Sequence, residues 1–341
     1  MATIKQVAEL AGVRPATVSY VMNGTGSVSP VTRARVLEAA AQLRYAPSHV
    51  ARSLQRKSSR TLGLVLSAGL WDERSMATLR GLVDGAAAAG YDLLLASWAG
   101  DEVATYTELH RSRRVEGVVI LDVRQEDERV AAARSLEVPY VCAGRPADDS
   151  PFVAIDAESG VVEALAHLII LGHERIGLLT PPLELALAVE QDAGYRMALM
   201  EAGIAFDEQL IVEGGVTEGE GYLAANDLLA LPEPPTAILA GSAELAFGTL
   251  HAAHDAGMRV GQDLALIVFD DPPSAAHVAP PLTAIRQPMV EVGRELAAML
   301  VAVIEGREHP RAVLLPPQLI VRRSCGRGIP ERQAPEGAGV A

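Results

Sequence analysis

The sequence predicts a small all-α helix-turn-helix head plus an α/β body of two doubly wound parallel-sheet lobes. Three observations carry this. Helical periodicity with cap and turn signals fills the start of the chain. After residue 60, apolar strand-like runs alternate with helical segments, and the alternation restarts near Gly160. Charge divides at the same boundary. Residues 1–60 carry nine Lys and Arg against two acids, whereas the remainder carries 20 basic and 41 acidic residues. The head is therefore +7 and the body −21, within a net −14. A basic head can sit on phosphates while an acidic body is repelled by them and stays in solution.

The first helix spans Ile4 to Ala11, with Thr3 as N-cap and Gln6 completing a capping box. Ile4, Val7, Ala8 and Ala11 share one face, Gly12 permits a tight turn, and Val13 fills the corner. The second helix runs from Pro15 to about Met22 and is stopped by Asn23-Gly24. Its inward positions are Val18, Val21 and Met22, and its outward ones are Ala16, Thr17, Ser19 and Tyr20. A third helix opens at Ser29-Pro30 and reaches about Arg44, with Val31, Ala34, Val36, Leu37, Ala40, Ala41 and Leu43 as its apolar positions. Pro47 breaks it, and Ser48 can cap a segment of about two turns, too short to be stable alone, so it is expected to order on DNA.

In the body, strands are expected at Leu62–Leu66, Leu93–Ala96, Val118–Leu121, Tyr140–Ala143 and Phe152–Ile155, with helices at Ala77–Ala89 and up to Arg113. The second round places helices at Gly160–Leu171, Tyr195–Ala202 and Glu244–Ala256. Its strands are Ile176–Leu179, Ala237–Ala240 and Leu264–Phe269, and a final helix covers Val290–Ile304. Apolar content is 49% and aromatic content 4%, so the core is built mainly of Ala, Val and Leu. The expected boundaries are 1–47 for the head, 48–60 for a hinge and linker, 61–325 for the body, and a disordered tail at 326–341.

Other functions are disfavoured. Cys142 and Cys325 are the only cysteines, which fits a reducing, cytoplasmic setting without a disulfide framework. No apolar signal segment and no run of about 18 uncharged apolar residues is present, so neither export nor a membrane association is expected. His251 and His254 share a helix but lack further ligands, so no metal is expected. There is no Gly-x-Ser-x-Gly elbow, P-loop or strand-linked Gly-x-Gly-x-x-Gly, so neither an enzyme nor a cofactor is expected.

The head motifs Val7-Ala8-Glu9-Leu10-Ala11-Gly12-Val13, Thr17-Val18-Ser19, Val21-Met22-Asn23-Gly24, Tyr45-Ala46-Pro47 and Ala51 with Leu54 closely resemble the lac repressor/galactose repressor (LacI) family. The resemblance extends over nearly the whole chain and implies lobes of periplasmic-binding-protein type. It implies that helix two enters the major groove, with Pro15, Ala16 and Tyr20 at base-reading positions and Thr17, Ser19 and Asn23 at phosphate positions. Thr3, Arg14, Ser48 and His49 complete the candidate DNA face. Leu54, beside Ala51, matches a leucine that wedges into the minor groove. Tyr20 stands where the family usually has Arg, which implies an altered half-site; a ring that makes no base contact is the alternative. For Leu54 the alternative is an ordinary packed leucine.

Ligands in two-lobe folds bind between the lobes, at the carboxyl ends of strands. The matching candidates are Ser67, Trp71, Trp98, Asp122, Gln191, Ser242 and Asp270. Asp270 matches a carboxylate that bonds an effector hydroxyl or amine, with a loop cap as the alternative. Trp71 and Trp98 are equally readable as stacking faces or packing groups. Many family members carry Arg where this chain has Gln191, and Asn-Asp or Ser-Asp where it has Ser242-Ala243. The expectation is a homodimeric regulator, acting as a repressor, that binds palindromic operator DNA and is modulated by a sugar or related polar metabolite. The alternatives are a constitutive DNA-binding regulator and a soluble solute-binding protein.

Overall fold

The computed structural model describes residues 2–23, 26–45, 58–66, 73–97 and 100–326. The chain divides into two compact units, residues 1–60 and 61–341. Ser48, His49, Ala51, Leu54, Ser67, Trp71 and Trp98 lie outside the described residues, as do the tail beyond residue 326 and the side chain of Asn23.

Unit one holds α1 (Ile4–Ala11), α2 (Pro15–Asn23) and α3 (Pro30–Gln42). Gln6 N–H donates to Thr3 Oγ1 at 3.4 Å and Thr3 N–H donates to Gln6 Oε1 at 2.8 Å, the reciprocal pairing that satisfies first-turn donors. Gly12 sits at φ 61°, where a Cβ would strain the turn, and its N–H caps α1 on the carbonyls of Ala8 and Glu9. Arg35 of α3 donates to the carbonyls of Ala11 and Gly12, placing a cation where α1 exposes unpaired oxygens. Ser29 caps α3 by accepting from Thr32 N–H at 3.2 Å. The core is Val7, Ala8, Ala11, Val18, Val21, Val36, Ala39 and Ala40, with Val13 packed against it at the corner. Val31 and Leu37 are 71% and 49% exposed, because α3 turns Val36, Ala39, Ala40 and Leu43 inward and one helical stripe has no room for more.

Unit two begins with β1 (Thr61–Leu66), α4 (Glu73–Ala88), β2 (Asp92–Ser97), α5 (Glu102–Arg111), β3 (Gly117–Ile120), α6 (Glu128–Ser135), β4 (Tyr140–Ala143) and β5 (Phe152–Ile155). The pattern restarts with α7 (Ala157–Ile170), β6 (Ile176–Thr180), α8 (Ala186–Ala202), β7 (Ile211–Glu213), α9 (Glu218–Leu229), β8 (Ala237–Ala240), α10 (Ala243–Asp255), β9 (Ala265–Val268) and β10 (Thr283–Arg286). It closes with α11 (Met289–Glu305), β11 (Ala312–Leu315) and β12 (Gln318–Ile320). Two six-stranded sheets result, ordered β11-β5-β4-β3-β1-β2 and β12-β10-β9-β8-β6-β7. Every recorded pairing is parallel except β10 with β12. Strands β3, β8 and β9 are buried at every residue, as expected where helices cover both faces of a parallel sheet.

The lobes are interleaved. The chain passes from the first sheet to the second after β5, returns through α11 to place β11 beside β5, then crosses again to place β12 beside β10. Helix α11 packs on α4 at glycines: a Cβ at Gly81 would run into the Val290 carbonyl, and one at Gly293 into the Thr78 carbonyl. Helix α8 starts at Ala186 rather than Tyr195, and α6, α9, β7, β10, β11 and β12 add to the expected elements.

Candidate functional site

On unit one, Arg14, Pro15 and Ala16 are exposed at the start of α2, and Thr17 and Ser19 are half-buried. Tyr20 is 50% exposed. Its ring leans on the backbone of Gly26, where a Cβ would stand 3.2 Å from Tyr20 Cγ. One side of the ring is thus supported while half of it faces outward. Val18 and Val21 anchor the other side of α2 in the core. Thr3 is committed to capping α1.

On unit two, the carboxyl ends of the strands carry the remaining candidates. In lobe one, Asp122 follows β3 with φ 46° and accepts from Arg74 Nη2 of α4 at 3.1 Å. The next residues form a loop pinned by Arg129, whose side chain is 6% exposed. Arg129 donates to both carboxylate oxygens of Asp127, at 2.9 and 2.7 Å, to Glu102 Oε1 at 2.8 Å and to the Asp122 carbonyl at 3.0 Å. Burial alone would raise the Asp127 carboxyl; its bonds to Arg129 override that and hold it below the usual carboxylate range.

In lobe two, Gln191 of α8 is fully buried, and its Nε2 donates to the Gly241 carbonyl at 2.9 Å. Gln191 Oε1 and the neighbouring Thr180 Oγ1, at the end of β6, are buried without a hydrogen-bond partner. Each such group costs about 1–3 kcal/mol. Ser242 caps α10, accepting from Leu245 N–H at 3.3 Å. Asp270 accepts from Gln287 Nε2 at 2.7 Å. The adjacent Asp271 is structural: Arg286 and Arg322 grip it, and their bonds outweigh burial to keep its carboxyl low.

The two lobes touch directly. Gln125 N–H donates to the Glu184 carbonyl at 2.9 Å, and Ala186 N–H donates to the Val123 carbonyl at 3.0 Å, so Arg124 and Leu185 pair as an antiparallel bridge. Ala186, the first residue of α8, is 2% exposed and packs into the lobe-one cluster with Val123 and Val65. Further along, Arg145 Nε of lobe one stands 3.1 Å from Glu190 Oε1 of lobe two. That ion pair leaves Glu190 Oε1 buried and without a hydrogen bond. Burial pushes the Glu190 carboxyl up to about 7; Arg145 offsets this in part, while Asp156 and Glu158 add to the rise.

The structure therefore gathers Gln191, Ser242 and Asp270 on lobe two and Asp122 on lobe one. Sequence reasoning missed Glu190, Gln287 and the Val123–Ala186 clasp. Their partners lie far apart in the chain, and no local signal marks them. A cavity of about 650 Å3, lined by Arg134, Tyr140, Arg307 and Arg311 among others, opens at the residues preceding β4, β5 and β11, the end of the sheet opposite the strands' carboxyl ends.

A helix-turn-helix unit in one chain with a two-lobed α/β unit defines a DNA-binding transcription regulator. Residues 3–48 match bacterial regulatory proteins of the lacI family, and residues 165–325 match the periplasmic binding protein-like domain. The HTH-type transcriptional regulator AglR of Rhizobium meliloti (strain 1021) is 34% identical over 334 residues, covering 95% of this chain and 94% of that protein. The chain belongs to the lacI family. Among solved structures, the lac repressor dimer bound to operator and the anti-inducer ONPF is 28% identical with a TM-score of 0.86, covering 96% of this chain and 99% of that one. The CelR–cellobiose complex is 32% identical with a TM-score of 0.74, covering 95% and 100%.

Proposed function

We propose that the chain is a homodimeric repressor that binds a palindromic operator and changes affinity when a small polar molecule enters the interlobe cleft. The observation that carries this is the outward face of α2 on a +7 head, in one chain with a cleft-bearing body of −21. In this reading Pro15, Ala16 and Tyr20 address the major groove, and Arg14, Thr17, Ser19 and Asn23 address phosphates. Residues 48–60 act as the hinge, with Leu54 as its wedge. Asp122, Gln191, Ser242 and Asp270 face the effector. Exposed apolar side chains on α4 (Met76, Val83) and on edge strand β2 (Leu95) support pairing with a second copy. Among the described residues no helix is long and apolar enough to cross a membrane; the proposed workplace is the cytoplasm, beside the operator.

Two states of the body, differing in the angle between lobes, would form or melt the hinge, with a coupling of about 1–3 kcal/mol. Operator selection from random duplexes tests the reading. The full chain is expected to enrich a palindrome, and a chain lacking residues 1–60 is expected to enrich none. Retention of specific binding by the truncated chain overturns it.

A second reading, a constitutive regulator, is favoured by one observation: the clasp at Val123–Ala186 joins the lobes through the protein's own backbone. A thermal-shift screen of sugars, nucleosides and polyols decides between them. A stabilising compound that also moves operator affinity rules out constitutive action.

A further inference from the structure

The effector reading leaves the chemistry of the ligand open, and the cleft-side oxygens bear on it. Thr180 Oγ1 and Gln191 Oε1 are buried and lack hydrogen-bond partners, and Glu190 Oε1, also buried and without a hydrogen bond, has the Arg145 guanidinium beside it at 3.1 Å. Thr180 ends β6, and Gln191 is bonded to the Gly241 carbonyl just beyond β8, so both tips stand at the carboxyl edge of the lobe-two sheet. An amide oxygen can only accept, so Gln191 Oε1 calls for a donor, and Glu190, once ionised, can accept a further one besides Arg145.

Cations that could greet an anion there are already engaged. Residues 61–341 contain no lysine at all. Among the described residues, Arg74 is paired with Asp122, Arg129 with Asp127 and Glu102, Arg145 with Glu190, and Arg286 and Arg322 with Asp271. The groups whose charge bears on Glu190 are Arg145, from the loop after β4, and Asp156 and Glu158, at the start of α7. Their sum is negative, which favours an incoming positive charge and penalises a carboxylate or phosphate.

Resting on the effector reading, we propose that the cleft selects a small ligand that donates hydrogen bonds and carries no anionic group, an amino-polyol before a neutral polyol, with Gln191 and Glu190 as the specificity-determining acceptors. An ammonium group beside Glu190 displaces the proton that the buried carboxyl holds near neutrality, so the affinity of an amine rises with pH across that range while that of a neutral polyol does not.

The test is calorimetry on the full chain with four matched probes: 1-amino-1-deoxysorbitol, sorbitol, gluconate and sorbitol 6-phosphate, at about pH 6 and about pH 8 to bracket Glu190. The amino-polyol is expected to bind at least about tenfold more tightly than either anion, with sorbitol between them. Gln191→Arg is expected to raise gluconate affinity about tenfold, and Glu190→Gln to abolish the pH dependence of the amine. Equal or tighter binding of an anion, an unchanged order in Gln191→Arg, or no binding of any probe at millimolar concentration overturns the proposal. Operator binding, measured on the same samples, separates the two levels. If it persists while the ligand order fails, only this inference falls; if it is absent throughout, the regulator reading falls.

Discussion

Replacing Glu190 by Gln is expected to stabilise the body above neutral pH and to leave it unchanged in mild acid. Burial lifts this carboxyl from 4.5 to about 7, which corresponds to about 3 kcal/mol. The side chain is only 13% exposed, so solvent screening takes little from that figure. The native chain keeps the proton where the unfolded chain has released it. Stability therefore falls as pH climbs from 4.5 towards 7, and the whole penalty stands above that. Glutamine preserves the shape without the charge. The ion pair to Arg145, whose side chain is 44% exposed, is already contained in that figure, because it offsets burial in setting the value near 7. The net gain at about pH 8 is therefore roughly 3 kcal/mol, or roughly 6 °C in Tm for a domain of this size. Below about pH 4 the difference vanishes, because the carboxyl is then neutral in both the native and the unfolded chain. Thermal melts of both proteins across this pH range give the difference directly. A difference that stays flat, or that grows towards acid pH, would refute the reasoning.

Four further outcomes are expected. Leu54→Ala should lose specific operator affinity while keeping most non-specific binding, measured by titration with operator and with scrambled duplex; equal loss of both removes the wedge role. Tyr20→Arg should shift half-site preference in a randomised-operator selection, and an unaltered selection means that residue 20 does not read bases. Arg129→Met leaves Asp127 and Glu102 buried without their partner, a cost of about 3–5 kcal/mol visible in denaturant melts; a loss under about 1 kcal/mol would show that the cluster does not hold the loop. Gly81→Ala gains about 1 kcal/mol of helix propensity but drives a methyl into the Val290 carbonyl, and overpacking costs about 1–3 kcal/mol or more. A lower Tm is expected, and a higher one would mean that α4 and α11 separate freely.

The head was legible because its signals are local. Thr3 with Gln6, Gly12 before Pro15, and Ser29-Pro30 each act within a few residues and mark the helix ends that form. Which apolar stripe α3 buries was not legible: Val31 and Leu37 stand exposed, because apolar identity alone does not select the buried face. Helix α9 carries Gly219 and Gly221, and two glycines weaken a helical signal in the sequence. Gly221 is needed, since a Cβ there would lie 2.7 Å from Leu245 Cα across the α9–α10 contact. Helix α6 was hidden by its charge, because its buried face includes Arg129. Resemblance nominated Asp122, Gln191, Ser242 and Asp270. It could not supply their bonding, which depends on Arg74, Gly241 and Gln287, remote in the chain.

The position of β11 has a consequence for biosynthesis. Lobe one cannot complete its sheet until the ribosome has delivered residues 312–315, long after β5 has emerged. The head, by contrast, buries its own small core as soon as its three helices are out. A nascent or prematurely terminated chain thus presents a finished DNA reader on an unfinished body whose apolar strands are uncovered. Such a fragment is a substrate for proteolysis and aggregation. The threading of the chain couples the right to occupy an operator to the arrival of its final tenth.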